Sequence, residues 1–237
     1  MIYAEILAGG KGTSMGNTDM PKQFLMLGTK PIIIHTIEQF VINDKISKII
    51  VCCPKDWLTY TNDLLKKYLP NVDIIEVICG GNTRNETIIN GCKFIEEKYK
   101  LNDDDVIITH DAVRPFVTQR IINDNINKVK KFDAVDTVLP ATDTIVESLD
   151  GEKIKSVPNR SNMYQGQTPQ SFNIKKLMTI YNILSDEEKT TLTDACKIFS
   201  LKGYDVALVF GEEYNIKLTS TYDLKIANAI LEERGNK

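Results

Sequence analysis

Residues 3–16 read Tyr3-Ala4-Glu5-Ile6-Leu7-Ala8-Gly9-Gly10-Lys11-Gly12-Thr13-Ser14-Met15-Gly16, an apolar run that passes directly into a glycine-rich stretch. Tyr3 to Ala8 has the length and composition of a buried strand. The glycines after it let the backbone take positive φ and come close to a ligand. Successive N–H groups in such a turn form a nest for phosphate oxygens. Gly9-Gly10-x-Gly12-x-x-x-Gly16 matches neither the P-loop, which closes on Gly-Lys-Ser/Thr, nor the dinucleotide fingerprint. For the loop taken alone, a tight structural turn is the other reading.

Outward from this stretch, short apolar runs alternate with amphipathic ones. Strands are predicted at Lys48–Cys53, Val72–Ile78, Asp105–Thr109, Ala134–Leu139 and Val206–Phe210, with a short one at Asn215–Leu218. Helices are predicted at Ile32–Val41, Trp57–Leu69, Glu86–Tyr99, Thr118–Lys131, Ile174–Leu184, Leu192–Phe199 and Thr221–Glu233. The alternation predicts an α/β fold with a doubly wound, mostly parallel sheet. Ligands in such sheets bind beyond the carboxyl ends of the strands. That rule gathers Ala8-Gly9-Gly10, Gly80-Gly81 and His110-Asp111 on one rim.

Leu149-Asp150-Gly151 lies between two β-prone runs, Thr144–Ser148 and Glu152–Val157, and predicts a hairpin. Too little chain follows for a second domain. The expected organisation is one domain over 1–237 with a β-arm inserted at about 141–170. Exposed Ile and Val on an arm need cover, from a second copy of the chain or from its own domain.

The 237 residues are 42% hydrophobic and 26% charged, the balance of a globular protein, and the formal charge of -3 gives no electrostatic basis for nucleic-acid binding. No apolar run approaches the ~20 residues a bilayer span requires, so no membrane association is expected. The opening lacks a basic region and carries Glu5, unlike a signal peptide. Five cysteines without a CxxC pair predict reduced thiols in a cytoplasmic protein.

Several polar residues can carry chemistry. Lys22, in Met20-Pro21-Lys22-Gln23-Phe24, follows the glycine loop, where a cation neutralises phosphate charge; a solvated surface lysine is the alternative. Asp111 stands just past a strand end and is a candidate Mg²⁺ ligand, since Mg²⁺ in nucleotide sites is held by one or two carboxylates plus phosphates. Arg114 orients Asp111, contacts a ligand, or forms a structural ion pair. In Gly80-Gly81-Asn82-Thr83-Arg84-Asn85-Glu86-Thr87, Asn82 and Thr87 suit the edge of a base, while Asn82 or Thr83 with Glu86 suits a capping box. Two histidines and no serine or cysteine nucleophile pattern argue against a hydrolytic triad.

Together these segments resemble the cytidylyltransferase family that makes CDP-alcohols, whose branches act on 2-C-methyl-D-erythritol 4-phosphate and on D-ribitol 5-phosphate. The resemblance rests on Pro21-Lys22-Gln23, Gly80-Gly81-Asn82-Thr83-Arg84 and His110-Asp111-Ala112-Val113-Arg114-Pro115. It continues through Thr168-Pro169-Gln170, Thr193-Asp194 and Asn215-Ile216-Lys217, in order over nearly the whole chain. Residues 133–138, 163–170 and 192–197 look like the ribitol branch.

The resemblance implies a Rossmann-like nucleotidyltransferase, a homodimer joined through the arm, and Mg²⁺-assisted transfer of CMP from CTP to a small polyol phosphate. It assigns catalysis to Lys22, Lys217 and position 14. Leu7, Ala8, Gly9, Gly10, Lys11, Gly12, Thr13, Gly81, Asn82, Thr87 and Asp111 would hold CTP, and Asp111 the metal. Arg114, Thr144, Arg160, Thr168, Thr193 and Lys217 would hold the polyol phosphate. Ser14 departs from the family pattern, which has arginine there. A neutral hydroxyl cannot supply a guanidinium's bidentate, permanently charged contact. Two expectations follow: an active transferase in which Lys11 partly compensates, or a nucleotide-binding protein with impaired turnover.

Overall fold

The computed structural model describes residues 1–10 and 20–235; Lys11, Gly12, Thr13 and Ser14 lie outside the described residues. The strands are β1 (Ile2–Leu7), β2 (Met26–Leu27), β3 (Lys30–Pro31), β4 (Lys48–Cys53), β5 (Ile75–Cys79), β6 (Val106–Asp111), β7 (Ala134–Pro140), β8 (Tyr164–Asn173) and β9 (Ala207–Phe210). The helices are α1 (Ile32–Val41), α2 (Leu58–Tyr68), α3 (Arg84–Tyr99), α4 (Gln119–Phe132), α5 (Ile174–Asn182), α6 (Asp186–Thr190), α7 (Cys196–Ser200) and α8 (Thr221–Gly235).

Seven strands form one sheet in the order β5-β4-β1-β6-β8-β7-β9, and β2 and β3 form a small separate hairpin. β1 runs parallel to β4 and β6, β4 to β5, and β7 to β9; β8 runs antiparallel between β6 and β7. The sheet is thus mostly parallel, as the alternation predicts. Because side chains alternate along a strand, the continuous apolar runs bury both faces. Ala4, Ile6, Ile49, Val51 and Ile108 pack against Ile34 and Phe40 of α1, Leu64 and Leu65 of α2, and Ile122 and Ile126 of α4. Tyr3, Ile50, Ile107 and Phe172 pack on the other face against Ile88 and Cys92 of α3, Leu177 of α5 and Phe199 of α7. A third cluster seats Ala227 and Ile230 of α8 on Leu27, Ile32, Phe116 and Leu218. It ties the chain around Lys217 to the strand-end rim.

Four elements differ from the sequence expectation. Tyr164–Asn173 is a strand at the heart of the sheet, so the segment outside the sheet is 141–163 rather than about 141–170. The hairpin in that segment closes through a single antiparallel bridge, Glu147 to Ser156, instead of a ladder. Its apolar residues Val146, Leu149, Ile154 and Val157 are exposed. Residues 215–218 are not a strand, and the helix expected at Leu192–Phe199 is the short α7, preceded by α6, which a Ser185–Glu188 capping box starts. Among the described residues no helix is long and apolar enough to cross a membrane.

One row of the sheet is polar. Register places Glu5 opposite Thr109, Thr109 opposite Gln170, and Gln170 opposite Asp136. Glu5 is fully buried; the Cys52 thiol donates to its Oε1 at 3.1 Å, while Oε2 has no partner. Burial pushes the Glu5 carboxyl well above the usual range, with the Cys52 bond and the Arg84 charge opposing. A raised folded-state value means that the folded chain keeps a proton the unfolded chain releases. Stability from this group is therefore complete below the ordinary carboxylate range and declines as pH rises toward the folded value. Glu5→Gln keeps the acceptor for Cys52 and removes the titration. Urea denaturation at pH 5 and pH 8 should show a smaller pH-dependent loss in Glu5→Gln than in the parent, and equal slopes would refute a protonated Glu5.

Candidate active site

The carboxyl ends of β1, β5 and β6 open on a cavity of about 350 Å³. Leu7, Gly9, Gly10, Lys22, Gly81, Asn82, Thr87, Asp111 and Lys217, all predicted from the sequence, line it. Gln23, Thr83, Arg84, Ala112 and Val113 line it as well. Ala8 is buried behind the wall, where its carbonyl accepts a hydrogen bond from Gln23 Nε2 at 2.7 Å. The same amide reaches the Gly10 carbonyl at 3.3 Å, so Gln23 holds the entry to the glycine loop. Pro21 precedes a single 3-10 turn, Lys22–Phe24, whose other end is buried by Phe24 stacked on Trp57. That turn fixes where Lys22 enters the cavity.

The opposite wall is the turn from β5 into α3. Thr87 Oγ1 accepts from the Gly81 N–H at 3.0 Å and donates to the Thr83 carbonyl at 2.8 Å. Thr83 caps α3 by accepting from the Glu86 N–H, and the Glu86 carboxylate accepts from the Asn82 N–H at 2.9 Å. The capping reading of this segment holds at Thr83, and the segment also lines the cavity. The buried Thr87 hydroxyl shapes the loop, while Asn82 is exposed. A Cβ on Gly81 would lie 2.8 Å from the Glu86 carbonyl carbon and 2.9 Å from the Thr87 nitrogen. Only glycine fits there.

The floor is an ion cluster. Asp111 Oδ1 accepts from Arg84 Nη1; its Oδ2 lies 3.1 Å from Arg114 Nε and 3.1 Å from Lys217 Nζ. Burial alone would raise the Asp111 carboxyl, but Arg84, Lys217 and Arg114 outweigh it and hold the group far below the usual range. Arg114 is fixed further by donating from Nη1 to the Asn215 carbonyl at 2.8 Å. Behind the cluster, the Asp111 N–H donates to Thr168 Oγ1 at 3.1 Å. His110 links Thr168, 2.9 Å from Nδ1, to the Arg114 carbonyl, 3.0 Å from Nε2. A carbonyl can only accept, so Nε2 carries the proton and Nδ1 receives one from Thr168. Burial depresses His110 to about 4, which keeps it neutral and structural. Burial first and Lys217 second lower the Lys22 ammonium, with Asp111 and Asp223 opposing.

Among the described residues, the donors at the cavity leave no open site for a divalent ion. Asp111 is the one carboxylate among the described residues lining the cavity, and cations engage both of its oxygens. It offers no open edge for direct coordination. A second group, Asp136, Asp194 and Cys196, has its ligand atoms within 4.8 Å of one another. Hydrogen bonds already engage three of its carboxylate oxygens. Gln170 Nε2 donates to Asp136 Oδ1 at 2.9 Å and to Asp194 Oδ2 at 2.6 Å, and the Cys196 N–H donates to Asp194 Oδ1 at 2.7 Å. Burial, with Asp194 adding to it, lifts Asp136 to about 6. This group ties the segment carrying Thr193 to the sheet.

The other predicted residues are dispersed. Thr168 and Arg114 are buried beneath the cavity, whereas Thr144, Arg160 and Thr193 are exposed and do not line it. Arg160 donates to the Thr142 carbonyl at 2.8 Å. Arg84 and Gln23 were not singled out from the sequence, although both belong to the quoted motifs Gly80–Arg84 and Pro21–Gln23.

Comparison with known proteins points the same way. The sequence model of the 2-C-methyl-D-erythritol 4-phosphate cytidylyltransferase family matches residues 2–233. A ribitol-5-phosphate cytidylyltransferase of Lactiplantibacillus plantarum is 56% identical over 234 residues, covering 99% of this chain and 100% of that one. Among solved structures, 4-diphosphocytidyl-2C-methyl-D-erythritol synthase of Anaerococcus prevotii superposes with a TM-score of 0.80 at 29% identity, covering 98% of this chain and 96% of that one. The 2-C-methyl-D-erythritol 4-phosphate cytidylyltransferase of Francisella tularensis does so with 0.80 at 28% identity, covering 96% and 98%.

Crowding at Gly81 is a direct test of this wall. Gly81→Ala should weaken CTP binding about tenfold or more, the factor that corresponds to 1–3 kcal/mol of overpacking. Calorimetric titration with CTP checks this, and an unchanged dissociation constant would separate Gly81 from the nucleotide site.

Proposed function

The chain belongs to the 2-C-methyl-D-erythritol 4-phosphate cytidylyltransferase family, and on that premise we propose that it transfers CMP from CTP to D-ribitol 5-phosphate. The products are CDP-ribitol and pyrophosphate. The observation that carries the acceptor is the 56% identity, over 234 residues, to a ribitol-5-phosphate cytidylyltransferase. A phosphate oxygen of the acceptor bonds to the α-phosphorus of CTP, and the bond from that phosphorus to the bridging oxygen breaks, releasing pyrophosphate. Both reactants carry their own leaving group or nucleophile, so catalysis is positioning and charge stabilisation.

In this reading the Gly9 and Gly10 backbone approaches the triphosphate, and Lys22 meets the charge that builds on the α-phosphate. Gly81 and Asn82 face the cytosine. Arg84 and Lys217 supply further positive charge along the wall. Thr144, Arg160 and Thr193 serve the acceptor, which requires segments outside the cavity to close over it. Homodimerisation through the 141–163 arm brings Arg160 of one copy to the other's site and covers exposed Val146, Leu149, Ile154 and Val157; Thr168, expected to arrive with the arm, is buried in β8 of its own sheet instead. Magnesium accompanies CTP as a counter-ion to its phosphates. A cytoplasmic enzyme supplying CDP-ribitol for ribitol-containing wall or capsule polymers fits this chemistry.

A second reading, 2-C-methyl-D-erythritol 4-phosphate as acceptor, is favoured by the description of the matching family and by the solved relatives. Pyrophosphate release measured with CTP and each acceptor decides between them. The ribitol reading expects kcat/KM for D-ribitol 5-phosphate to be greater by roughly tenfold or more, the scale on which one pocket separates similar substrates. A preference for the methylerythritol phosphate overturns it.

Two substitutions test the charge assignments. Lys22→Met should lower kcat by about 10²–10³, as when one transition-state donor is deleted, with the fold intact by circular dichroism. Ser14→Arg should raise kcat; an unchanged kcat would mean that the lysines already present suffice.

A further inference from the structure

We infer that Asp111 is the anchor of a cation receptor rather than a metal ligand, so that the divalent ion of the reaction arrives with the phosphates and takes no ligand from Asp111. The inference rests on the proposed use of CTP. Asp111 has two oxygens and three cationic partners: Arg84 on Oδ1, and Arg114 and Lys217 on Oδ2, each of the latter at 3.1 Å. A magnesium ion binds carboxylate oxygen at about 2.1 Å. At that distance from either oxygen it would stand against at least one positive side chain already in contact. The cavity lining contains no other carboxylate among the described residues to draw it in.

The three cations divide into one fixed and two available. The Arg114 side chain is 10% exposed and is held by the Asn215 carbonyl and by Asp111. Those of Arg84 and Lys217 are 26% and 44% exposed, and both line the cavity. Arg84 opens α3, whose start is set by the Thr83 cap. Lys217 follows Asn215, whose Nδ2 donates to the Thr168 carbonyl at 2.8 Å. The backbone of each is therefore placed, and Asp111 places the charged end. Phosphate oxygens entering the cavity can take over from the carboxylate what it holds in position. Arg84 becomes a phosphate contact by this route, and Asp111 a positioning residue for both cations.

Two measurements test this with the full chain. Mn²⁺ electron paramagnetic resonance reads metal binding directly. Without nucleotide, the chain should leave Mn²⁺ free, and adding CTP should bring the ion onto the protein as its complex. Stoichiometric Mn²⁺ binding without CTP that Asp111→Asn abolishes would overturn the inference. The second measurement is the affinity for CTP by calorimetry, with EDTA and then with Mg²⁺, in the parent and in Asp111→Asn. An anchor leaves the ratio of the two affinities the same in both proteins, whereas a metal ligand makes the Mg²⁺ advantage collapse toward one in the variant. Asp111→Asn and Arg84→Gln should also be non-additive in metal-free CTP affinity, coupled by about tenfold; additivity would sink the anchoring role. Failure of the parent to bind CTP under any of these conditions would count against the proposed function instead. That outcome is separable from a collapsed metal advantage.

Discussion

The carboxylate of Asp111 is shared by three cations that arrive from three parts of the chain: Arg84 at the start of α3, Arg114 three residues past β6, and Lys217 before α8. Among the described residues, this carboxylate joins three separate segments at the rim. Its energetics do not resemble those of a stabilising surface pair. Taking charges out of water costs more than a single pair regains unless every lone pair is used. Here both oxygens are used, and the backbone N–H of Asp111 is itself bonded to Thr168. The cluster still carries more positive than negative charge. A triphosphate is the kind of ligand that would neutralise such an excess, so binding and local electrostatics favour one another.

The sheet makes that cluster possible by separating its two faces. One face, with Ile6, Ile49, Val51 and Ile108, is an apolar seat for α1, α2 and α4. The other is apolar at Tyr3, Ile107 and Phe172, turns polar at Glu5, Thr109, Gln170 and Asp136, and reaches Asp111 at the rim. Parallel strands bring each functional residue to the same end, because every crossover helix returns the chain to the opposite edge. The glycine turn, the Gly81 turn and Asp111 therefore meet without any of them being near another in sequence.

How much of this was legible in the sequence depended on where the signal lay. β1, β5 and β6 are short, largely apolar runs, and the residues at their ends, Ala8-Gly9-Gly10, Gly80-Gly81 and His110-Asp111, read from the sequence as one rim. β8 was missed because Tyr164-Gln165-Gly166-Gln167-Thr168-Pro169-Gln170 has neither an apolar run nor alternation. Its place in the sheet is set by pairing on both sides, a long-range constraint that a local pattern does not carry. Arg84 was passed over for a related reason. In sequence it is the first residue of a helix, and only folding turns its guanidinium onto a carboxylate 27 positions away. The arm was legible as a turn at Asp150-Gly151 but not as a bridge count, because its flanking residues meet solvent rather than a face that would enforce a register.

The two substrates proposed for this chain call on different kinds of structure. Nearly everything assigned to CTP within the described residues lies on strand ends and helix starts, where backbone position is dictated by the sheet. Of the residues assigned to the acceptor, Thr144, Arg160 and Thr193 lie on exposed connections outside the cavity, whereas Arg114, Thr168 and Lys217 lie in or beneath it. Gln170, bonded to Asp136 and Asp194, is the link that ties the Thr193 segment back to the rigid part. Loops tolerate substitution and insertion far better than the strands that present them. Acceptor choice can therefore change while the nucleotide half stays in place, which fits similarity to relatives named for two different polyol phosphates. In such a family the fold identifies the donor, and the acceptor must be read from the connections.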